Sequence, residues 1–310
     1  MAGWSVADIP DLAGRRAIVT GASGGLGYET ARALARAGAE VVLAVRSRER
    51  GAAARDRILA DRPEAALSVE ALDLASLRSV DAFAGRMTAA DRPIHILVNN
   101  AGVMAVPTRE LTEDGFERQI GTNFLGHFAL TGRLLPLLMA GKARVVQLAS
   151  LAHRRGRIRL DDLNFENGYR AWPAYEQSKL AMLVFAIELQ RRSDTNGWGL
   201  TSLAAHPGLA RTDIIANGPM GQGGDRLKWS LARALMPLVF QSAEAGAWPI
   251  LMAATDPQAP PGGYIGPSGT REARGRPRPA RIESNADDPV LGAGLWDVAQ
   301  RLTGVSYRTC

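Results

Sequence analysis

The run Thr20-Gly21-Ala22-Ser23-Gly24-Gly25-Leu26-Gly27 constrains this chain most, because of where it stands. It follows a short apolar stretch, Arg16 to Val19, and opens an alanine-rich segment with helical periodicity. Glycines at 21, 25 and 27 allow a tight turn, close approach of the backbone to a bound anion, and close packing of the next helix on its sheet. A strand, a glycine turn and a helix in that order open a parallel α/β sheet. The helix N-terminus then suits a nucleotide phosphate.

The remaining pattern repeats that unit. Strands are predicted at Arg16 to Thr20, Glu40 to Val45, Leu67 to Leu72, Ile94 to Val98, Ala143 to Ala149 and Gly199 to Ala205. Between them fall helices at Gly25 to Arg36, Glu49 to Ala60, Ser76 to Ala89, Gln119 to Met139 and Pro173 to Arg192. Further helices are expected at Ala243 to Ala254 and Pro289 to Leu302. Regular alternation favours right-handed β/α crossovers, hence a Rossmann fold with a doubly wound, mostly parallel sheet and helices on both faces. At 310 residues and 46% apolar composition one large domain, 1–310, suffices. Residues 207–240 are expected to form its substrate-covering segment, whose apolar side chains suit a pocket, a core or an interface equally.

Composition narrows the function classes. The single cysteine, Cys310, supports no internal disulfide framework and no thiolate metal cluster, which favours a reducing compartment. The opening MAGWSVADIPDLAG is not organised as a signal peptide, and no stretch has the uninterrupted apolar length of a bilayer span. A soluble, cytoplasmic protein without an integral membrane segment is expected. The formal charge is +6, and all but three of the 37 basic residues are arginine. These arginines are scattered among acids with no aromatic-interleaved platform, so no nucleic-acid partner is expected. The densest basic stretch, Thr270 to Arg281, contains glycine and prolines and reads as a surface loop. His95, His127, His153 and His206 form no metal-ligand pattern, and no metal is expected.

In an open parallel sheet, ligands bind beyond the carboxyl ends of the strands. Thr20 to Gly27, Asp73 and Leu74, Asn99 to Gly102, Ser150, and His206 to Thr212 all fall there. Tyr175 and Lys179 are four residues apart and share a helix face. A nearby ammonium stabilises a phenolate, a phenol can donate a proton to a carbonyl oxygen, and a serine can hydrogen-bond that oxygen. The same spacing fits an amphipathic helix whose tyrosine packs inward and whose lysine reaches solvent. Spacing alone leaves both readings open.

Taken together, the glycine turn, Asn99-Asn100-Ala101-Gly102, Tyr175-Glu176-Gln177-Ser178-Lys179, Pro207-Gly208 and the terminal Leu295-Trp296 region resemble the short-chain dehydrogenase/reductase family over nearly the whole chain. The resemblance implies that Tyr175 is the central acid/base and that Ser150 orients the substrate oxygen. It implies that Lys179 acts on the tyrosine and contacts the nicotinamide ribose, with Asn123 in a hydrogen-bond relay. It places Gly21, Ser23, Gly25, Leu26, Gly27, Asp73, Leu74, Asn99, Ala101, Gly102, Tyr175, Lys179, Pro207, Gly208 and Thr212 at the cofactor. After the second strand, Val45-Arg46-Ser47-Arg48 lacks the acid expected to hold an unmodified ribose, and Arg46 suits a 2′-phosphate, which favours NADP(H).

The interval from Ser150 to Tyr175, with its LDDLNFENGYRAW segment, resembles the retinol-dehydrogenase-like and protochlorophyllide-reductase-like branch. That implies interconversion of a carbonyl and an alcohol on an extended, partly apolar small molecule. An epimerase or isomerase using the same cofactor, and a non-catalytic nucleotide-responsive binding protein, remain alternatives. The family resemblance also raises a homodimer, with helices around Asn123 to Met139 and Trp172 to Leu189 either pairing between subunits or completing one core.

Overall fold

The computed structural model describes residues 3–210 and 241–307. Its frame is built from β1 (Arg16–Thr20), α1 (Gly25–Arg36), β2 (Glu40–Val45), α2 (Arg48–Asp61), β3 (Leu67–Ala71), α3 (Leu77–Ala89) and β4 (Ile96–Asn99). A broken helical arm follows: α4 (Arg118–Ile120), a π-helical turn (Gly121–Leu125), α5 (Gly126–Arg133) and α6 (Leu135–Ala140). The rest comprises β5 (Arg144–Leu148), α7 (Ala171–Asn196), β6 (Thr201–Ala205), α8 (Ala243–Thr255), β7 (Tyr264–Pro267), β8 (Pro277–Pro279) and α9 (Pro289–Thr303).

The strands form one sheet in the order β3-β2-β1-β4-β5-β6-β7-β8. Every pairing is parallel except the last, where Ile265 opposes Pro279 and Pro267 opposes Pro277. The order reverses direction beside β1, so the crevice for a ligand lies above β1 and β4. The central strands are apolar throughout because both faces are covered. Along β1, Ala17 and Val19 enter the core under α1 and α8, while Ile18 enters the core under α3, α5 and α7. That is the two-residue alternation of a strand serving two cores.

Three sequence expectations need correction. The helix expected over Gln119 to Met139 is broken twice. A π-helical turn inserts at Gly121–Leu125, and the arm breaks again between Arg133 and Leu135. There Pro136 stands in the first turn of α6 and has no N–H to continue the ladder. The stretch from Thr270 to Arg281 is not wholly a loop, since Pro277–Pro279 pairs as an edge strand. An edge strand tolerates proline because one row of its backbone groups needs no partner. Strand β7 was not anticipated either.

The helices raised as pairing elements complete the core of one chain. Phe124 and Phe128 in the arm pack with Phe185 of α7 and Trp296 of α9 at ring-centroid separations of 5.0 to 6.0 Å. Tyr307 closes the cluster and donates its hydroxyl to the Phe128 carbonyl at 2.7 Å. Among the described residues, no helix is long and apolar enough to cross a membrane.

Candidate active site

The turn after β1 is shaped by what it must avoid. Gly21 has φ of +68° and Gly25 has φ of +52°, values that side-chain-bearing residues seldom adopt. A Cβ on Gly27 would lie 2.5 Å from both the Gly21 carbonyl oxygen and Asn100 Nδ2, so α1 can start this close to the sheet only with glycine there. Ser23, at the turn, makes no hydrogen bond among the described residues. Leu26 is buried, and its side chain packs toward Gly246 of α8. Any part it takes in a ligand site is therefore through its backbone.

Thr20, the last residue of β1, ties this turn to the one after β4. Its hydroxyl accepts N–H groups from Asn100 and Ala101, each at 2.9 Å, and lies 2.9 Å from His127 Nε2. His127 Nδ1 lies 2.8 Å from the Asn123 carbonyl, which can only accept. Nδ1 therefore carries the proton and Nε2 accepts from Thr20, a neutral imidazole. Burial drives the His127 pKa down to about 3, with the Asn123 hydrogen bond opposing it.

Asn123 sits in the π-helical turn, a distortion often found at functional sites. Its amide clamps Val103 at both backbone groups, at 2.8 and 2.9 Å, and reaches Ser178 Oγ at 2.9 Å. The side chain is thus spent on fixing the strand-end loop. Asn99, wholly buried, donates to Thr131 and Gln147, so it organises the sheet edge from beneath. A Cβ on Gly102 would lie 2.9 Å from Asn123 Oδ1 and 3.6 Å from Lys179 Nζ, which places Gly102 between these two groups.

Ser150, Tyr175 and Lys179 come together beyond the ends of β4 and β5. Ser150 follows β5 and caps the short 3₁₀ helix Leu151–Arg155 by accepting from the Ala152 N–H at 3.3 Å. Tyr175 lies in the second turn of α7, buried, with the Ser150 side chain near its hydroxyl. Burial pushes the phenol up to about 12, and the nearby Ser150 hydroxyl partly opposes this. The group is a proton donor at neutral pH. Lys179 Nζ lies 5.9 Å from the Tyr175 ring centre and donates to the Leu148 carbonyl at 2.9 Å. Burial lowers its pKa to about 8, so it stays mostly protonated near pH 7. Trp172, one turn before Tyr175, stands edge-on to it at 6.0 Å and is 45% exposed. It gives the approach to the phenol an apolar wall.

Other anticipated cofactor residues occupy the same edge. Arg46 follows β2, exposed and with no ion pair among the described residues, whereas Arg48 faces Glu70 at 3.8 Å. Asp73 is half-buried; one carboxylate oxygen accepts from the Ala75 N–H at 3.0 Å and its backbone N–H is held by Ser79, so it shapes the loop after β3. Leu74 is buried beside it. Pro207 and Gly208 follow β6, where Gln241 donates to the Pro207 carbonyl at 2.7 Å. Thr212 lies outside the described residues.

These residues fit a dinucleotide. At Gly21 and Gly27 a side chain would collide with the loop after β4 and with the turn itself, so the backbone there stays bare, and among the described residues Ser23 makes no hydrogen bond and Arg46 no ion pair. Among the described residues no cluster of histidine, cysteine or acidic side chains is arranged for a metal ion. Sequence reasoning missed the pairings: Thr20 with His127 beneath the turns, and His206 and Arg154 with Glu272 beside Pro207. His206 stands next to an anticipated residue, but nothing in the linear pattern pairs it with a carboxylate 66 positions away.

Known proteins place this arrangement in context. Over 301 residues the chain is 42% identical to polyprenol dehydrogenase of Mus musculus, spanning 96% of this chain and 86% of that protein. Over 299 residues it is 38% identical to retinol dehydrogenase 12 of the same species, spanning 96% and 88%. Among solved structures, an uncharacterised protein from Mycobacterium paratuberculosis superposes with a TM-score of 0.81 at 41% identity, covering 99% of this chain and all of that one. A protein from Beutenbergia cavernae, described as an NAD(P)-dependent gluconate 5-dehydrogenase with bound NADP, superposes with a TM-score of 0.61 at 28% identity, over 79% of this chain and 91% of that one. Residues 15–220 match the family described as short chain dehydrogenase, and on that match, these identities and the gathered serine, tyrosine and lysine, the chain belongs to the short-chain dehydrogenase family.

Proposed function

We propose that this protein is an NADP(H)-dependent oxidoreductase interconverting a ketone or aldehyde and the corresponding alcohol on an extended, partly apolar small molecule. The observation that carries the reading is the meeting of Tyr175, Ser150 and Lys179 beside a glycine turn, with the Ser150 side chain near enough to the phenol to act on its proton. Arg46, exposed after β2 and without an ion pair among the described residues, supports the 2′-phosphate, and the Beutenbergia protein was solved with NADP. The apolar character of the substrate is supported by Trp172 beside Tyr175 and by relatives named for retinol and polyprenol.

When bound, the nicotinamide supplies or accepts the hydride. The rest falls to the chain. Gly21, Ser23, Gly25, Gly27 and the backbone of Leu26 would hold the phosphates, and Arg46 the 2′-phosphate. Asp73, Leu74, Asn99, Ala101 and Gly102 would shape the adenosine side and floor, and Lys179 the nicotinamide ribose. Pro207, Gly208 and Thr212 would face the nicotinamide. In reduction, Tyr175 hands its proton to the substrate oxygen while the Ser150 hydroxyl hydrogen-bonds that oxygen and limits its charge. In oxidation the same phenol must first lose its proton, and the Lys179 ammonium stabilises the resulting phenolate. Asn123 fixes Val103 and Ser178, which holds this edge in register.

The test is NADPH consumption with hydrophobic aldehydes and ketones of varied length and ring content, with product analysis and Tyr175→Phe in parallel. Stoichiometric alcohol formation, reduced on the order of 10²-fold or more in the variant, is expected for loss of a general acid. Product formed without net NADPH turnover would favour an epimerase or isomerase. NADPH binding with no turnover in either direction would favour a binding role.

A further inference from the structure

We infer that His206, Glu272 and Arg154 are positioning residues that lock the Pro207–Gly208 turn against the turn bearing Ser150, setting the nicotinamide pocket relative to the proton donor. The inference rests on the reading that Pro207 and Gly208 face the nicotinamide. β5 and β6 end side by side, with the Ala149 N–H donating to the Ala205 carbonyl at 2.9 Å. Ser150 and His206 are the next residues on each. One carboxylate spans the two continuations. Glu272 Oε2 lies 2.7 Å from Arg154 Nη2, in the 3₁₀ helix that Ser150 caps, and 3.1 Å from His206 Nε2, immediately before Pro207.

The imidazole has no freedom in this arrangement. The Gly208 N–H points at His206 Nδ1 from 3.2 Å, and a backbone N–H can only donate. Nδ1 is therefore unprotonated, and Nε2 carries the hydrogen that Glu272 accepts. The ring is wholly buried and sits where Gly266 leaves a slot, since a Cβ on Gly266 would lie 2.0 Å from Nε2. Tyr264 packs against it at 5.0 Å and against His153 at 5.3 Å, and His153 Nδ1 lies 2.6 Å from the Ser150 carbonyl.

The acid is held from its own side as well. Glu272 Oε1 accepts the Arg281 N–H at 3.2 Å, while Arg154 also faces Glu283 at 3.6 Å. Arg271 and Glu272 have φ of +54° and +58°, a left-handed pair that side-chain-bearing residues avoid. Strain of this kind concentrates where a side chain must be aimed. The next residue, Ala273, accepts the Leu209 N–H at 2.7 Å, and its carbonyl would lie 2.3 Å from a Cβ on Gly208. The segment 270–273 thus grips the Pro207–Gly208 turn through both backbone and side chain.

The experiment compares NADPH with 2′,5′-ADP, which carries the 2′-phosphate end and no nicotinamide. Affinities are measured by calorimetry for wild type, Glu272→Ala, Arg154→Ala and Arg154→Lys. In both alanine variants, loss of a charge-assisted contact should weaken NADPH on the order of tenfold, and 2′,5′-ADP less than about twofold. Arg154→Lys, which keeps a cation on Glu272, should recover most of the loss. Equal weakening of both ligands, or unchanged affinity for both, would overturn the positioning role while leaving the cofactor reading intact. Wild type that binds neither ligand would overturn the cofactor reading and this inference with it. Arg154 is partly exposed and outside the strands, so its variants keep the comparison open if Glu272→Ala does not fold.

Discussion

Replacing His127 with phenylalanine should flatten part of the protein's stability loss between pH 7 and pH 5. His127 is fully buried and neutral, with Nδ1–H donating to Asn123 and Nε2 accepting from Thr20. Its folded pKa is about 3 against 6.5 in the unfolded chain, the fall caused first by burial. A histidine with a depressed folded pKa contributes stability that is fully present above the unfolded value and is lost as pH falls through the window down to the folded value. At pH 5 the unfolded chain takes up a proton that the folded protein refuses, a loss of about 2 kcal/mol relative to pH 7. The variant is less stable at pH 7, because the buried Asn123 carbonyl loses its His127 partner at ~1–3 kcal/mol, while the Thr20 hydroxyl keeps the Val98 carbonyl at 3.3 Å. Denaturant titrations of both proteins at pH 7 and pH 5 read the difference directly, since His95, His153 and His206 are common to both. The stability gap should narrow by ~2 kcal/mol at pH 5. A gap that stays constant would refute the neutral, proton-refusing His127 on which the reasoning depends.

Arg46→Ala should raise the dissociation constant for NADPH on the order of tenfold and leave that for NADH nearly unchanged, with the effect shrinking at high salt, as read by nucleotide fluorescence. Gly126→Ala should lower stability by roughly 1–3 kcal/mol in thermal unfolding, because its Cβ would lie 2.3 Å from the Leu74 carbonyl and α5 would have to move off the loop after β3. Alcohol oxidation should quicken as pH rises above 7, since Tyr175 is pushed up to about 12 and must give up its proton to act as base. Initial rates with NADP⁺ that stay flat from neutral to alkaline pH would count against Tyr175 as the base.

The order of strands and helices was legible where burial imposes a simple pattern. β1, β2 and β4 are covered on both faces, so they read as unbroken apolar runs, and polar or glycine residues mark where each one ends. β7 and β8 were not legible because their pattern is set by neighbours rather than by themselves. β8 is Pro-Arg-Pro with one buried residue, and its pairing depends on Tyr264–Pro267 already lying beside β6. The π-helical turn escaped for a related reason: residues 123–131 are all buried, so the arm carries no apolar period for an extra residue to shift, while the turn brings Asn123 to Val103 and Ser178.

The site divides along the same line. Spacing put Tyr175 and Lys179 on one helix face and Ser150 at a strand end, and the family resemblance, not spacing alone, joined them into one site. Their supports could not be read either way, because each joins residues that only the packed sheet brings together: Thr20 with His127 across 107 positions, His206 with Glu272 across 66, Arg154 with Glu272 across 118. In each case the partner's chemistry is ordinary, and it is the partnership or the burial imposed by the fold that gives it force. An imidazole in solution titrates near neutrality, whereas His127, deprived of water, stays neutral to about pH 3 and so offers Asn123 and Thr20 one fixed donor and one fixed acceptor. Glu272, held down to about 2 first by its bond to His206, remains an anion wherever the enzyme is folded and near neutral pH. Reacting groups that must differ in protonation between reduction and oxidation are thereby mounted on supports whose protonation does not change over the same range.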